Sequence, residues 1–141
     1  MTEDTRPPQG LCWLLIAAWL VVTLTSLFAP ALLSFDTSRY INVALMSAFT
    51  LAHGGARYGQ RGIAIYFLIA MAVTYVTENA SIFTGFPFGH YEHTAHMGPQ
   101  LLKAPLLVGL IFAVAGYLGW ALAGLLLGDA FSARRLAPLI A

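Results

Sequence analysis

Long uncharged runs dominate the chain, and they predict helices that cross a membrane. A helix needs about 20 apolar residues to span the hydrocarbon core of a bilayer. Four runs approach that length, over residues 11–33, 40–56, 63–83 and 105–128. The pattern predicts an all-α polytopic membrane bundle of about four transmembrane helices, formed by a single membrane domain over residues 1–141.

The segments between these runs are polar or rich in glycine and proline, which favours turns. Pro30 is expected to end the first helix, because it lacks an amide proton and its ring clashes with the preceding turn. Residues 36–39 (DTSR) predict a polar turn, and residues 57–62 (RYGQRG) predict a tight basic loop. Residues 84–104 are expected to form an interfacial loop that carries the recognisable motif.

Composition supports a membrane protein. Of the 141 residues, 59% are hydrophobic and 9% are charged, whereas soluble domains carry about 25% charged residues. The net charge of +1 gives no indication of a nucleic-acid partner. The single cysteine, Cys12, excludes an internal disulfide.

The positive residues predict the orientation in the membrane, because lysine and arginine are enriched in cytoplasmic loops. Two of them lie in the first and third loops of the predicted topology, Arg39 and Lys103. The other five lie in the N-terminus, the second loop and the tail: Arg6, Arg57, Arg61, Arg134 and Arg135. We therefore expect a multi-pass cell membrane protein with both termini in the cytoplasm.

Small residues recur in the last run at Ala115, Gly119 and Ala123, followed by Gly124 and Gly128. Such spacing lets helix backbones approach closely in lipid. It is compatible with ordinary packing inside the bundle and with the face of a homo-oligomer.

Glu78 is the most informative single residue, because an ionisable group in a spanning helix is costly and often functional. Burial favours the protonated form of a carboxyl. Thr74 and Tyr75 lie four and three positions earlier and are candidate hydrogen-bond partners. The alternative is a structural glutamate that links helices. Asn42 lies near the start of the preceding predicted helix, at the same membrane depth as Glu78, and is the better candidate neighbour of Glu78. His53 is expected at the opposite membrane face, beside Arg57.

Histidines cluster in the segment HYEHTAH, at His90, His93 and His96, with Glu92 beside the second. Three readings stay open for them: metal ligands, interfacial polar residues, and acid–base groups acting on water. The metal reading is weakened because positions 90 and 96 diverge by about 120° on a helix. No stoichiometric metal is therefore expected.

The loop TGFPFGHY, residues 84–91, joins the carboxyl to the histidines. Gly85 and Gly89 allow backbone conformations closed to other residues, and Pro87 stiffens the turn. Phe86, Phe88 and Tyr91 form either an interfacial aromatic belt or an aromatic pocket beside Glu78.

Glu78, the TGFPFGHY loop, Gly98-Pro99 and Pro105 before an apolar helix together resemble the integral-membrane carotenoid biosynthesis family, which includes bisanhydrobacterioruberin hydratases and gamma-carotene 1'-hydratases. The resemblance covers residues 78–105. Family members are longer, with further helices and acidic residues downstream, so this chain is expected to be a short member or a fragment.

The resemblance implies carotenoid biosynthesis by hydration of a terminal isoprenoid C=C of an acyclic or monocyclic carotenoid, a hydro-lyase reaction that gives a tertiary alcohol and needs no cofactor. A neutral Glu78 fits the proton donor. The expected catalytic residues are Glu78, Glu92, His90 and His93. The expected substrate-binding residues are Phe86, Phe88, Tyr91, Asn42 and Tyr75.

Three other functions compete with hydration. A subunit of a transporter or of a proton or ion pathway predicts polar residues at several depths, but the inner halves of the first and last runs are almost wholly apolar. A membrane metalloenzyme would bind a metal at the histidines. A non-catalytic membrane partner would pack beside another carotenoid biosynthesis enzyme.

Overall fold

The computed structural model describes residues 9–93 and 97–127. It contains the helices α1 (Gln9–Phe28), α2 (Phe35–Thr84) and α3 (Leu106–Leu127). Two short strands, β1 (Gln100–Leu101) and β2 (Ala104–Pro105), pair antiparallel between α2 and α3. These three helices are long and apolar enough to cross a membrane. The structure therefore agrees with an all-α membrane bundle, and a count of about four crossings stays a prediction.

The helix ends follow local chemistry. α1 ends at Phe28, two residues before Pro30, as expected. The predicted turn over residues 36–39 is wrong, because these residues form the first turns of α2. Ser34 caps that helix by accepting a hydrogen bond from the Thr37 amide at 3.2 Å, and Asp36 adds a favourable negative charge to the first turn.

The predicted basic loop over residues 57–62 is also helical except at one position. Gly59 has φ 77° and ψ 156°, a conformation open essentially to glycine alone, and it breaks α2 into two segments. A Cβ atom on Gly54 would lie 2.6 Å from the Ile63 side chain. A straight helix would separate these two residues by about 13 Å, so the chain bends sharply at Gly59.

The two segments of α2 contact α3 in opposite directions. After the break, the Tyr66 hydroxyl donates to the Ala113 carbonyl oxygen at 2.7 Å, and the Tyr75 hydroxyl donates to the Leu106 carbonyl oxygen at 2.6 Å. This segment is therefore antiparallel to α3. Before the break, Tyr40 approaches Gly98 and His53 contacts Tyr117, so the first segment runs in the same direction as α3.

The core lies where the three helices meet. Its buried members come from all of them: Cys12, Met46, Phe49, Ile63, Val114 and Tyr117. Close approach of α2 and α3 depends on Gly109 and Gly116, where an added Cβ would lie 2.7 Å from Tyr75 and 2.8 Å from Tyr66. A Cβ added at Gly119, from the predicted small-residue face, would meet no other element within 4 Å among the described residues. Packing within the chain therefore uses other glycines, and the homo-oligomer stays a prediction.

Candidate functional site

Glu78 lies in the last two turns of α2, and only 5% of its surface is exposed. It is buried together with its helical neighbours Asn79 and Ser81. Burying a carboxyl away from water is costly unless hydrogen bonds replace those it made to water. The partners of Glu78 come from the loop that follows the helix.

Two turns, at Gly85 and Gly89, bring that loop back over α2, and both glycines have positive φ. Gly85 ends the helix with φ 78°, and its amide donates to the Ser81 carbonyl oxygen at 2.8 Å. The Ser81 hydroxyl then accepts a hydrogen bond from the Phe88 amide at 3.1 Å. The peptide bond between Phe86 and Pro87 is cis. This compact fold returns Tyr91 to the level of Glu78.

Tyr91 and His93 both contact one oxygen of the Glu78 carboxyl. The Tyr91 hydroxyl donates to Oε2 at 2.5 Å, and His93 Nε2 lies 2.9 Å from the same oxygen. The two rings meet edge to face, with centroids 5.3 Å apart. No described residue donates to Oε1. The contact between His93 and Glu78 requires a proton, carried by either the ring or the carboxyl.

The environment also shifts the acidity of Tyr91. Burial, followed by the hydrogen bond and the negative charge of Glu78, raises the pKa of Tyr91 to about 12. The hydroxyl of Ser81 acts weakly in the opposite direction. Tyr91 therefore remains a neutral hydrogen-bond donor to Glu78 throughout the physiological pH range.

Asn79 attaches the β1–β2 hairpin to the same helix. Its Oδ1 accepts a hydrogen bond from the Lys103 amide at 3.0 Å. Its Nδ2 donates to the carbonyl oxygens of Tyr75, at 2.9 Å, and Leu101, at 3.3 Å. The side chain thus satisfies polar groups on both elements and fixes the hairpin beside Glu78.

A polar cavity of about 340 Å³ opens between the hairpin and the loop. Its lining comes from α2, the loop and the hairpin: Ile82, Glu92, His93, Gln100, Leu102 and Lys103. His93 therefore contacts Glu78 on one side and a space large enough for several water molecules on the other.

Aromatic side chains surround this end of the molecule. Phe86 and Phe88 are 77% and 61% exposed, and Phe83 precedes them on α2 with a similar exposure. The Lys103 ammonium lies 5.7 Å from the centre of the Phe83 ring. The ring faces are thus open to an apolar ligand or to lipid, and one of them already attracts a cation.

The structure brings together part of the predicted set. Glu78, Tyr91 and His93 form one network, and exposed Glu92 shares the polar cavity with His93. His90 is exposed and lies against Gly85, where an added Cβ would approach its ring to 2.8 Å. It makes no described contact with Glu78.

The predicted neighbours of Glu78 on its own helix are wrong. The Thr74 hydroxyl donates to the Ala70 carbonyl oxygen, and Tyr75 reaches across to α3. Helical spacing placed both within reach, but carbonyl oxygens along the helix and on α3 offered better acceptors. Whether Tyr75 contacts substrate stays a prediction.

Asn42 is also not a described neighbour of Glu78. It lines a separate apolar cavity of about 310 Å³ with residues of α1 and α3, and its Oδ1 is buried without a described partner. His53, the other polar candidate of that segment, stacks on Phe49 and contacts the Tyr117 hydroxyl through Nδ1 at 2.5 Å. Neither residue makes a described contact with Glu78.

The metal interpretation finds no described cluster. Residues 9–93 and 97–127 contain no group of three or more potential ligands. His96 lies outside the described residues, as do Arg6, Gly128, Arg134 and Arg135. Asn79 and Ser81 are the site residues that the sequence prediction missed. Their signal was present, because polar side chains directly beside Glu78 in a spanning helix are themselves unusual.

Comparison with protein families gives one match. A family model described as "Carotenoid biosynthesis protein" matches residues 37–140, more than half of the chain. The matched region includes both segments of α2, the loop, the hairpin and α3. Comparisons with curated proteins and with solved structures give no match.

Proposed function

Because the chain belongs to the carotenoid biosynthesis protein family, we propose that it adds water across the terminal C=C of an acyclic or monocyclic carotenoid. The product is a tertiary alcohol. One observation carries the proposal: a buried carboxyl, Glu78, is held by Tyr91 and His93 beside a polar cavity.

Glu78 acts as the proton donor. An alkene is barely basic, so its protonation needs an acid held against the carbon. When Tyr91 and His93 both donate to Oε2, the acid proton resides on Oε1, which faces no described donor. As this proton leaves, the two donors stabilise the carboxylate that remains.

The cationic intermediate needs electrostatic support. Transfer of the proton breaks the π bond, forms a C–H bond and leaves the positive charge on the tertiary carbon. Aromatic faces attract such a charge by about 0.5–2 kcal/mol. Phe86 and Phe88 are the exposed rings on the loop beside Glu78, and they stabilise the cation.

His93 returns the proton. A water molecule from the polar cavity forms the C–O bond, and His93 Nδ1 accepts the proton that this water releases. The imidazolium then gives its Nε2 proton to Glu78 Oε2, which lies 2.9 Å away, and proton exchange with the cavity water restores the acid proton on Oε1 and the Nε2–H tautomer of the ring. One water is added in each cycle, and no electron is gained or lost. Glu92, on the same cavity, assists by ordering water.

The membrane arrangement belongs to the same proposal. The two segments of α2 cross the membrane separately, because they contact α3 in opposite directions on either side of Gly59. Together with α1 and α3 this gives four crossings. Glu78 then lies at the membrane face opposite Gly59, where the end of a carotenoid meets water.

The test is expression in a host that makes acyclic carotenoids, with pigments analysed by chromatography and mass spectrometry. Glu78→Gln keeps the size of the side chain and removes the acid. It is expected to lower the hydrated fraction at least 100-fold at an unchanged level of membrane protein, within the usual range for a lost acid. Tyr91→Phe, which removes one donor to Oε2, should lower it by about tenfold.

Glu92→Gln is the comparison variant for the supporting role, because Glu92 is exposed and makes no described contact with Glu78. It should retain at least half of the activity. Full hydration by Glu78→Gln at normal abundance would contradict the proposal. A selective loss in Glu92→Gln would transfer the acid role to the loop.

A further inference from the structure

A third cavity lies at the opposite end of the α2–α3 pair, beside the break at Gly59. Its volume is about 610 Å³, within the range of about 300–1,000 Å³ that small-molecule sites occupy. Four aromatic side chains and two glycines form most of its wall: Tyr58, Tyr66, Tyr117, Trp120, Gly62 and Gly116. None of these residues takes part in the Glu78 network.

The polar atoms of this wall are bonded within the protein. The Tyr66 hydroxyl donates to the Ala113 carbonyl oxygen, and the Tyr117 hydroxyl contacts His53 Nδ1. The indole N–H of Trp120 donates to the Tyr58 hydroxyl at 2.9 Å. The rings therefore present their apolar faces to the cavity, so it suits a hydrocarbon and offers little to a polar ligand.

The position of the cavity relative to Glu78 defines the length of ligand that can reach both. Along α2, Ile63 and Glu78 are about 15 residues apart, or ~22 Å. Along the antiparallel α3, Leu106 and Trp120 are about 14 residues apart, or ~21 Å. A carotenoid has a length comparable with the roughly 30 Å hydrocarbon core, and can therefore extend from one end to the other.

We propose that this cavity is a second binding site for the substrate, which holds the distal part of the conjugated chain while the terminal double bond lies at Glu78. The inference rests on the proposed function and extends it to substrate selection. A substrate that reaches both sites gains the contacts of both, so the enzyme selects elongated isoprenoids over short ones.

The shape and rigidity of the ligand favour a polyene over the acyl chains of membrane lipids. A conjugated chain is a stiff rod and loses little conformational freedom on binding, whereas an acyl chain has many rotatable bonds to immobilise. The Tyr66 and Tyr117 rings meet edge to face, with centroids 6.1 Å apart and planes inclined by 65°, so a conjugated chain can contact the face of one ring and the edge of the other.

A larger side chain at Gly62 would fill the cavity without straining the backbone. It lies in α2 with an ordinary backbone conformation, and the nearest atom to an added Cβ is the Tyr58 Cβ at 3.4 Å. Gly62→Leu therefore adds bulk to the cavity without backbone strain, and Gly62→Ala adds less. Gly119→Leu is the matched control, since Gly119 does not line the cavity and an added Cβ would meet no described residue within 4 Å beyond its own helix.

The experiment measures binding of lycopene, an acyclic carotenoid, to the full chain in detergent through quenching of tryptophan fluorescence. Gly62→Leu should weaken binding by about tenfold, a loss of ~1.4 kcal/mol, and Gly62→Ala should fall between it and the unaltered chain. Gly119→Leu should stay within about twofold, because it leaves the cavity lining intact. Melting temperatures of all variants establish that each is folded.

Two results would overturn the inference. The first is an unchanged lycopene affinity in folded Gly62→Leu. The second is that squalane, a saturated isoprenoid, competes for the cavity as well as lycopene itself does, which would mean that the cavity binds membrane hydrocarbon in general. Glu78→Gln separates this inference from the proposed hydration, because that variant should bind lycopene normally while forming no alcohol. Binding that depends on Gly62 without any hydration in the unaltered chain would support the cavity and count against the hydratase.

Discussion

The second segment of α2 has two ends that differ in how they use polar atoms. Near Thr84, the side chains of Glu78, Asn79 and Ser81 are buried, and each bonds to the loop or the hairpin. Near Gly59, the hydroxyls and the indole N–H bond to one another, to the His53 ring or to a helix carbonyl, and aromatic rings line an apolar cavity.

The difference follows from the length of chain that leaves each end. At Gly59 the chain bends within a single residue, so no loop is available to bring distant donors to the helix. After Thr84 the chain continues through the loop and the hairpin before α3 begins at Leu106. That length allows Tyr91, His93 and Lys103 to fold back onto α2. A buried carboxyl is tolerated only where such partners exist.

The largest expected effect concerns the membrane faces on which the two ends lie. In a Cys12→Ala background, Arg61→Cys and Leu102→Cys report on exposed positions at the two ends. A membrane-impermeant thiol reagent added to intact cells should label residue 102 and leave residue 61 unlabelled until the cells are opened. Labelling of both residues from the same side would show that the two ends lie at the same membrane face, and would contradict the four-crossing arrangement.

The next effect compares hydrogen bonds at the two ends. Asn79→Leu leaves the Lys103 amide and the Leu101 carbonyl oxygen without their partner, and should cost about 1–3 kcal/mol of unfolding free energy per unmatched group. Tyr58→Phe removes an exposed acceptor at the other end and should cost less than about 1 kcal/mol. Chemical denaturation in detergent measures both, and equal losses would mean that the hairpin is not held through Asn79.

The third prediction examines the turn itself. Gly59→Ala forces a side chain into a conformation with φ 77° and should destabilise the fold by about 1–3 kcal/mol. Gly62→Ala, three residues away in regular helix, should instead stabilise by about 0.5–1 kcal/mol. If thermal unfolding gives the same shift for both, the bend does not require glycine.

The smallest effect is a pH dependence confined to the Glu78 end. The pKa of Tyr91 is raised from 10.0 to about 12 in the folded chain. Because the folded-state pKa is the higher one, this stabilisation is complete below pH 10 and is lost as the pH rises through about 12. Tyr91→Phe should lose stability less steeply over that range. Parallel curves for the two proteins would contradict the assigned environment of Tyr91.

Local patterns in the sequence predicted the apolar helices and singled out Glu78, but the predicted turn over residues 36–39 and the predicted loop over residues 57–62 both lie within α2. Apolar runs predicted membrane helices, Pro30 predicted the end of α1, and Glu78 was identified because a charge in a spanning helix is costly. Ser34 and Gly59 show where prediction from local sequence patterns fails. A helix can begin before a polar run when a cap precedes it, and it can bend at one glycine without a loop.

Only the tertiary structure decided which side chains share the site. From the sequence, Tyr91 was expected to supply an aromatic face, whereas in the fold it donates a hydrogen bond to Glu78. Depth favoured Asn42 and helical spacing favoured Tyr75 as neighbours of Glu78, yet Asn42 lines a separate apolar cavity and Tyr75 bonds to α3. Spacing along a helix defines a face, whereas the path of a loop rich in glycine and proline depends on the backbone hydrogen bonds that it can satisfy. The contacts that join the loop and the hairpin to α2, such as His93 to Glu78 and Lys103 to Asn79, link residues 15 and 24 positions apart in the chain, and no local pattern encodes them.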